Sequence, residues 1–290
     1  VQNSILKKAK TWVTQRMKQT EQLQTTLNNG IEMPLLGLGI YDAHGKEAEQ
    51  AVAWALETGY RLVDTARIYG NEKEVGNAIR QSGIPRNELF LTTKVWNTDQ
   101  GYDATLRAFD ASEKRLNCEY IDLYLIHWPV KGKRKKTWKA LEQLYADKRV
   151  RAIGVSNYLL PFLNELMEYA GVVPAVNQVE FSPYLYLKDL LDECKRQSIV
   201  LQAYSPLVRG QKMNDPKLVV LAEKYQKTPA QVMLRWMLQH GVSAIPKSAN
   251  PKRIQENFDV FDFQIVAEDM VQIDAFDENL RIVEDPMLLW

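Results

Sequence analysis

Between residues 35 and 257 the chain alternates short apolar runs with longer stretches of helical period, and the apolar runs number eight. They are LLGLGI (35–40), YRLVD (60–64), LFLTTKV (89–95), IDLYLIH (121–127), RAIGVS (151–156), AVNQV (175–179), VLQAYS (200–205) and VSAIP (242–246). Most are continuously apolar rather than alternating, the pattern of strands covered on both faces in a parallel sheet. Between them, KEAEQAVAWALETG (46–59) carries Ala51, Val52, Ala55 and Leu56 at helical spacing and closes on Gly59, a C-cap residue. DATLRAFDASEKRL (103–116), TWKALEQLYADK (137–148) and PAQVMLRWMLQHG (229–241) repeat the pattern, with Pro229 as a first helical residue behind a Thr228 N-cap. Eight such units in series predict a (β/α)8 TIM barrel in one domain. A doubly wound open sheet is the structural alternative. It is disfavoured because GLGIYDAHG (37–45) puts Asp42 where the last glycine of a GxGxxG nucleotide loop belongs.

Ahead of the barrel, LQTTLNNGIEMP (23–34) has Asn29-Gly30 between two short strand runs, which predicts a β-hairpin capping the barrel bottom. Residues 1–22 form an extension in which ILKKAKTWVTQRMKQTEQ (5–22) has the pattern of a cationic surface helix, and residues 23–290 are expected to form the single barrel domain. EDMVQIDAFD (268–277) adds one more helix after the last unit. A net charge of +1 offers no footprint for nucleic acid or an anionic membrane, and no apolar run reaches the length of a membrane span. Two cysteines, Cys118 and Cys194, provide no disulfide framework and suit a reducing cytoplasm. The three histidines, His44, His127 and His240, are scattered, and with neither CxxC nor HExxH present no metal site is expected. A GxSxG nucleophile elbow is also missing.

Chemistry in such a barrel sits where the strands end. The polar residues there are Asp64, Lys94, His127, Ser156-Asn157, Gln178, Tyr204 and Lys247. Each alone has an ordinary structural reading: a cap, a snorkelling lysine, a core histidine. Together they matter more, because strands two, three and four are neighbours and would bring Asp64, Lys94 and His127 to one mouth, with Tyr69 on the loop after Asp64. A lysine ammonium beside a phenol favours phenolate and lowers its pKa, while a carboxylate fixes the lysine. His127 can orient a carbonyl that Tyr69 protonates as hydride arrives at carbon.

LVDTARIYGNE (62–72), LTTKVW (91–96), IDLYLIHWP (121–129), RAIGVSNY (151–158), VNQVEFSPY (176–184), AYSPL (203–207) and IPKSANPKRIQEN (245–257), in this order, resemble the aldo-keto reductases. The resemblance implies reduction of carbonyl compounds with NADPH on a (β/α)8 barrel, without metal. It makes Tyr69 the general acid, Lys94 and Asp64 its supporting pair, and His127 the group that orients the carbonyl. It puts Ser156, Asn157 and Gln178 on the nicotinamide carboxamide and the Tyr204 ring beneath the nicotinamide. Ser205 and Leu207 would lie along the pyrophosphate. Gly39, Ile40 and Tyr41 would line the cofactor's path from the first strand, with a largely backbone contact at Ile40. Lys247, Ser248 and Arg253 match the adenosine 2′-phosphate clamp, and Glu256 and Asn257 match adenine contacts. Tyr41, Ile68, Trp96, His127 and Trp128 match the substrate pocket.

The connections PVKGKRKKTW (129–138) and VRGQKMNDP (208–216) and the tail after Asn279 are short, as in bacterial diketogluconate or methylglyoxal reductases, which implies an open mouth for small carbonyl compounds. The basic run KGKRKK (131–136) is expected as a solvated loop, and the protein as a monomer. Two other functions are kept beside this one: an NADPH-binding regulatory subunit on the same barrel, and an aldolase using Lys94 as a Schiff-base lysine.

Overall fold

Eight parallel strands lie side by side in sequence order in a computed structural model that describes residues 24–289. They are β3 (Leu38–Gly39), β4 (Leu62–Asp64), β5 (Phe90–Val95), β6 (Ile121–Ile126), β7 (Val150–Ser156), β8 (Val176–Glu180), β9 (Val200–Tyr204) and β10 (Ser243–Ala244). The sheet closes on itself through parallel bridges Leu36–Ala244 and Gly39–Lys247. Gly37 N–H donates to Ala244 O at 2.9 Å and Gly39 N–H to Pro246 O at 3.1 Å across this seam. Gly39 is required there: a Cβ would stand 2.7 Å from Ile245 O. All eight sequence-predicted strands are present, with the first and last trimmed to two residues each.

Helices α1 (Gly45–Thr58), α2 (Glu72–Gln81), α3 (Tyr102–Leu116), α4 (Arg134–Ala146), α5 (Leu160–Met167), α6 (Lys188–Arg196), α7 (Pro216–Tyr225), α8 (Pro229–Gln239), α9 (Pro251–Phe258) and α10 (Ala267–Asp274) accompany the strands, and a last turn, α11, runs over Pro286–Leu289. Gly59 caps α1 with its N–H on Ala55 O and Leu56 O, and Thr228 with Gln231 forms a capping box on α8. Helix α4 begins three residues before its expected start at Thr137. The basic run is therefore half helix rather than all loop. Cations in a first helical turn oppose the helix dipole; here Arg134 is matched by a bidentate pair to Glu165, with contacts of 3.1 and 2.6 Å.

The interior changes chemistry along the strands. At the base, Leu62, Phe90, Leu123, Ala152 and Val176 form an apolar cluster with Leu27 and Met33 of the hairpin. Side chains point inward at every second residue of a strand, and farther along the same inward faces come Asp64, Lys94, Ser156, Gln178 and Gln202, all buried. The apolar lower layers seat the polar upper layer.

The hairpin pairs β1 (Gln24–Thr26) antiparallel with β2 (Glu32–Pro34). Leu27 N–H donates to Ile31 O at 2.8 Å, so its turn is the three residues Asn28-Asn29-Gly30, one longer than the expected dipeptide. Gly30 takes the left-handed conformation with φ 83°. Asn28 and Asn29 donate to Pro174 O and Arg151 O, both at 3.0 Å, and tie the turn to the barrel base. The expected cationic helix at 5–22 lies outside the described residues.

Among the described residues no helix is long and apolar enough to cross a membrane. Leu27 is only 2% exposed, so Leu27→Ala is expected to lower the unfolding free energy by about 2–4 kcal/mol. Chemical denaturation measures this, and a loss below about 0.5 kcal/mol would mean that the hairpin does not plug the core.

Candidate active site

Asp64 ends β4 and Lys94 lies one residue before the end of β5, and both are buried. Lys94 Nζ donates to Asp64 Oδ1 at 2.5 Å and to Thr65 O at 2.9 Å. The other carboxylate oxygen, Oδ2, accepts from Gln178 Nε2 at 2.7 Å. Burial moves the two toward neutrality, Asp64 up and Lys94 down, and each partner's charge opposes that shift. A buried ammonium without such acceptors would be far more costly than this one.

Tyr69 closes the 3-10 turn Arg67–Tyr69, after which Gly70 adopts the left-handed conformation with φ 68°. Its hydroxyl lies 3.5 Å from Lys94 Nζ, and its ring stands edge-on to Tyr41 at 5.2 Å and to His127 at 5.7 Å. The loop is braced from behind by buried Asn71, which donates to Ile40 O and Ala43 O and accepts from Thr65 Oγ1. On balance the phenol's pKa is raised in this geometry, not lowered as expected from Lys94. Burial pushes Tyr69 well above its ordinary value, followed by the Asp64 charge, while the lysine sits closer to its carboxylate than to the hydroxyl. The phenol therefore keeps its proton at neutral pH.

His127 follows β6 and is held well below its usual pKa by burial and then by the Lys94 charge, so it is neutral. Its Nδ1 is sealed and has no hydrogen-bond partner among the described residues. Nε2 is the ring nitrogen left to face the mouth. Trp96 stands edge-on to it at 5.1 Å. Tyr41 (54% exposed) and Ile68 (46% exposed) form an apolar rim. Trp128 is half-buried, its carbonyl held by Gln100 Nε2 at 2.8 Å.

A second group of expected residues surrounds the far side of the mouth. Asn157 turns sharply after β7 in the left-handed region, φ 65°. This folds its amide back so that Nδ2 donates to His127 O at 2.9 Å and Oδ1 accepts from Tyr204 Oη at 2.7 Å. Ser156 Oγ lies 3.3 Å from the same Nδ2. The half-buried Tyr204 ring is thereby pinned from its hydroxyl end. Ser205, Val208 and Arg209 also have positive φ, so the loop carrying Ser205 and Leu207 holds backbone strain.

Lys247 stands at the barrel seam opposite Gly39, and Ile40 is fully buried behind it. Asn250 caps α9 by accepting from Lys252 N and Arg253 N. Ser248 Oγ accepts from Asn250 N–H at 3.1 Å, and Lys247 and Arg253 are exposed on this same capped turn. Asn257 is buried farther along α9, and Glu256 accepts from Thr228 Oγ1 at 2.8 Å. Two cations, a hydroxyl and a helix start are the chemistry that a phosphate-binding site requires. Among the described residues no cluster of metal-ligating side chains occurs.

Sequence reading missed three contributors: Asn71, the Thr65 carbonyl and Gln202. The signal for Gln202 was available, since it is the one polar residue inside the apolar run VLQAY.

The family model for the Aldo/keto reductase family matches residues 36–278. Glyoxal reductase of Bacillus subtilis (strain 168) is 53% identical over 261 residues, spanning 90% of this chain and 95% of that protein. The 9,11-endoperoxide prostaglandin H2 reductase of Trypanosoma cruzi is 53% identical over 265 residues, 90% of this chain and 94% of that one. Among solved structures, the aldo-keto reductase MGS-M4 from a deep-sea metagenome superimposes with a TM-score of 0.88 at 47% identity, covering 90% of this chain and 97% of that one. Gox0644, solved as a mutant in complex with NADPH, gives a TM-score of 0.87 at 42% identity, with coverage of 91% and 97%. The chain belongs to the aldo-keto reductase family.

Proposed function

We propose that the protein reduces small aldehydes and ketones to alcohols with NADPH, Tyr69 acting as the proton donor. The observation that carries this is a phenol hydroxyl 3.5 Å from the buried Lys94 Nζ, its ring edge-on to the His127 imidazole at the mouth of the barrel. The relatives named glyoxal reductase and morphine 6-dehydrogenase, and the neighbour solved with NADPH, support both the carbonyl chemistry and the cofactor. Two buried, unpaired thiols, Cys118 and Cys194, suit a cytoplasmic setting.

The residues present fit a dinucleotide phosphate. Lys247, Ser248 and Arg253 would hold its 2′-phosphate, Glu256 and Asn257 its adenine, and Ser205 and Leu207 its pyrophosphate. Gly39, Ile40 and Tyr41 would border its path into the mouth. The pinned Tyr204 ring offers a face for the nicotinamide, and Ser156, Asn157 and Gln178 offer polar edges for the carboxamide. When bound, NADPH supplies the hydride.

His127 donates from Nε2 to the substrate oxygen and sets its direction. Tyr69 passes its proton to that oxygen as negative charge builds there, an easy transfer because an alkoxide is more basic than a phenolate. Lys94 steadies the phenolate left behind, and Asp64 keeps Lys94 within reach. Tyr41, Ile68, Trp96 and Trp128 shield the reacting carbonyl from water. An open rim of this kind admits varied small carbonyl compounds, which favours broad specificity.

The regulatory-subunit alternative shares the cofactor contacts but needs no proton donor, so loss of the hydroxyl separates the two. Tyr69→Phe is expected to reduce turnover of an aromatic aldehyde by about 10²–10⁴-fold with NADPH binding little changed. Absorbance of the reduced nicotinamide and its fluorescence titration read the two effects, and parental turnover in the variant would sink the assignment.

The pH dependence follows from the shifts. Tyr69 is raised, so between about pH 6 and 9 it stays protonated for reduction, whereas alcohol oxidation climbs with pH as the phenolate fraction grows. His127 is depressed, so reduction should show no step near the ordinary histidine value of about 6.5. A reduction profile that falls by half near that pH would contradict the neutral imidazole.

A further inference from the structure

Behind Gln178 the upper layer of the barrel contains a buried polar chain whose other members, Gln202 and Ser243, the chemistry above leaves unused. Gln178, Gln202 and Ser243 are register partners on the adjacent strands β8, β9 and β10. All three are at most 2% exposed. Gln202 Nε2 donates to Ser243 Oγ at 3.1 Å, and Gln202 Oε1 accepts from Gln178 Nε2 at 2.7 Å. Gln178 Nε2 also donates to Asp64 Oδ2 at 2.7 Å. Strands β8 and β4 stand four places apart in an eight-stranded closed sheet, so this last bond crosses the barrel interior.

The amide inventory makes the chain directional. An amide nitrogen has two hydrogens, and on Gln178 both are taken, one by Asp64 and one by Gln202. Gln178 Oε1 accepts nothing among the described residues and is absent from the sealed, unpartnered atoms, so it is the edge left open to the mouth. Turning the amide over would set Gln178 Oε1 against both the Asp64 carboxylate and Gln202 Oε1. The direction is set at the Asp64 carboxylate, which can only accept, and Gln202 completes it by taking the second Gln178 hydrogen on Oε1 while its own Nε2 rests on the Ser243 hydroxyl.

We infer that Gln202, resting on Ser243, is a positioning residue that, together with the Asp64 carboxylate, fixes Gln178 with its carbonyl oxygen toward the cofactor, where it accepts from the carboxamide NH2 of the nicotinamide. The inference rests on the assignment of Gln178 to the nicotinamide made above. It adds that an acceptor-only edge selects a carboxamide over a carboxylate, because a nicotinic acid dinucleotide would present oxygen to oxygen. The same chain couples the cofactor edge to the Asp64–Lys94 pair, since one Gln178 amino group serves both.

The test compares two ligands on the full chain by calorimetry: NADP+, and adenosine 2′,5′-bisphosphate, which carries the 2′-phosphate and adenine but no nicotinamide. Gln202→Met keeps the volume and removes the hydrogen bonds. It is expected to weaken NADP+ about tenfold while leaving the bisphosphate unchanged, and Ser243→Ala should shift NADP+ the same way by less. General damage would weaken both ligands alike and would overturn the inference, as would an unchanged NADP+ affinity in a folded Gln202→Met or, should that variant not fold, in Ser243→Ala. Gln178→Met separates the two layers of the argument. If it weakens NADP+ and Gln202→Met does not, only the positioning role fails; if neither does, the nicotinamide assignment of Gln178 fails as well.

Discussion

Lys94 is a fully buried ammonium inside a parallel barrel, 2.5 Å from an equally buried carboxylate. Such a pair persists only where every remaining donor and acceptor is used, because desolvation of two charges otherwise outweighs their attraction. The structure meets that condition with Thr65 O on the lysine and Gln178 on the carboxylate. Much of the upper barrel follows from this requirement. Gln178 must cross from the opposite wall, Gln202 must take its second hydrogen, and Thr65 must lie where the loop toward Tyr69 begins. The Tyr69 hydroxyl then meets an ammonium whose position is already fixed.

Placing a costly polar layer above an apolar one has a structural precondition. Leu62, Phe90, Leu123, Ala152 and Val176, closed from below by Leu27 and Met33, supply the apolar burial that tolerates it. The seam at Gly39 lets the first strand approach the last closely enough to complete the ring, and it sets Lys247 beside the first strand. Barrel closure and the proposed phosphate clamp are thus linked through one backbone contact.

Much of this was legible in the sequence because the strand pattern has period two and the units repeat. Mostly continuous apolar runs gave the parallel sheet, and polar residues at or near the ends of seven of the eight runs marked the mouth. Less could be read where the outcome depends on distance in three dimensions. Nothing local to LVDTARIYGNE tells that burial would outweigh the lysine at Tyr69. That balance depends on Asp64 capturing Lys94 first, a contact between two strands. The start of α4 was misplaced for a similar reason: the partner that makes Arg134 acceptable in a first helical turn, Glu165, is 31 residues away. Gln202 was visible as an oddity in its strand, but its role needs the opposite wall.

The central claim is that the buried pair is held together for the sake of Tyr69 and is not a source of stability in itself. The direct test is a double-mutant cycle of Asp64→Asn and Lys94→Met, followed by chemical denaturation and turnover. Each single substitution is predicted to cost about 3–5 kcal/mol by leaving an uncompensated buried group. The double variant is predicted to regain most of that stability while turnover stays lost. A double variant as unstable as the sum of the two singles, or a Lys94→Met enzyme with parental turnover, would contradict the account.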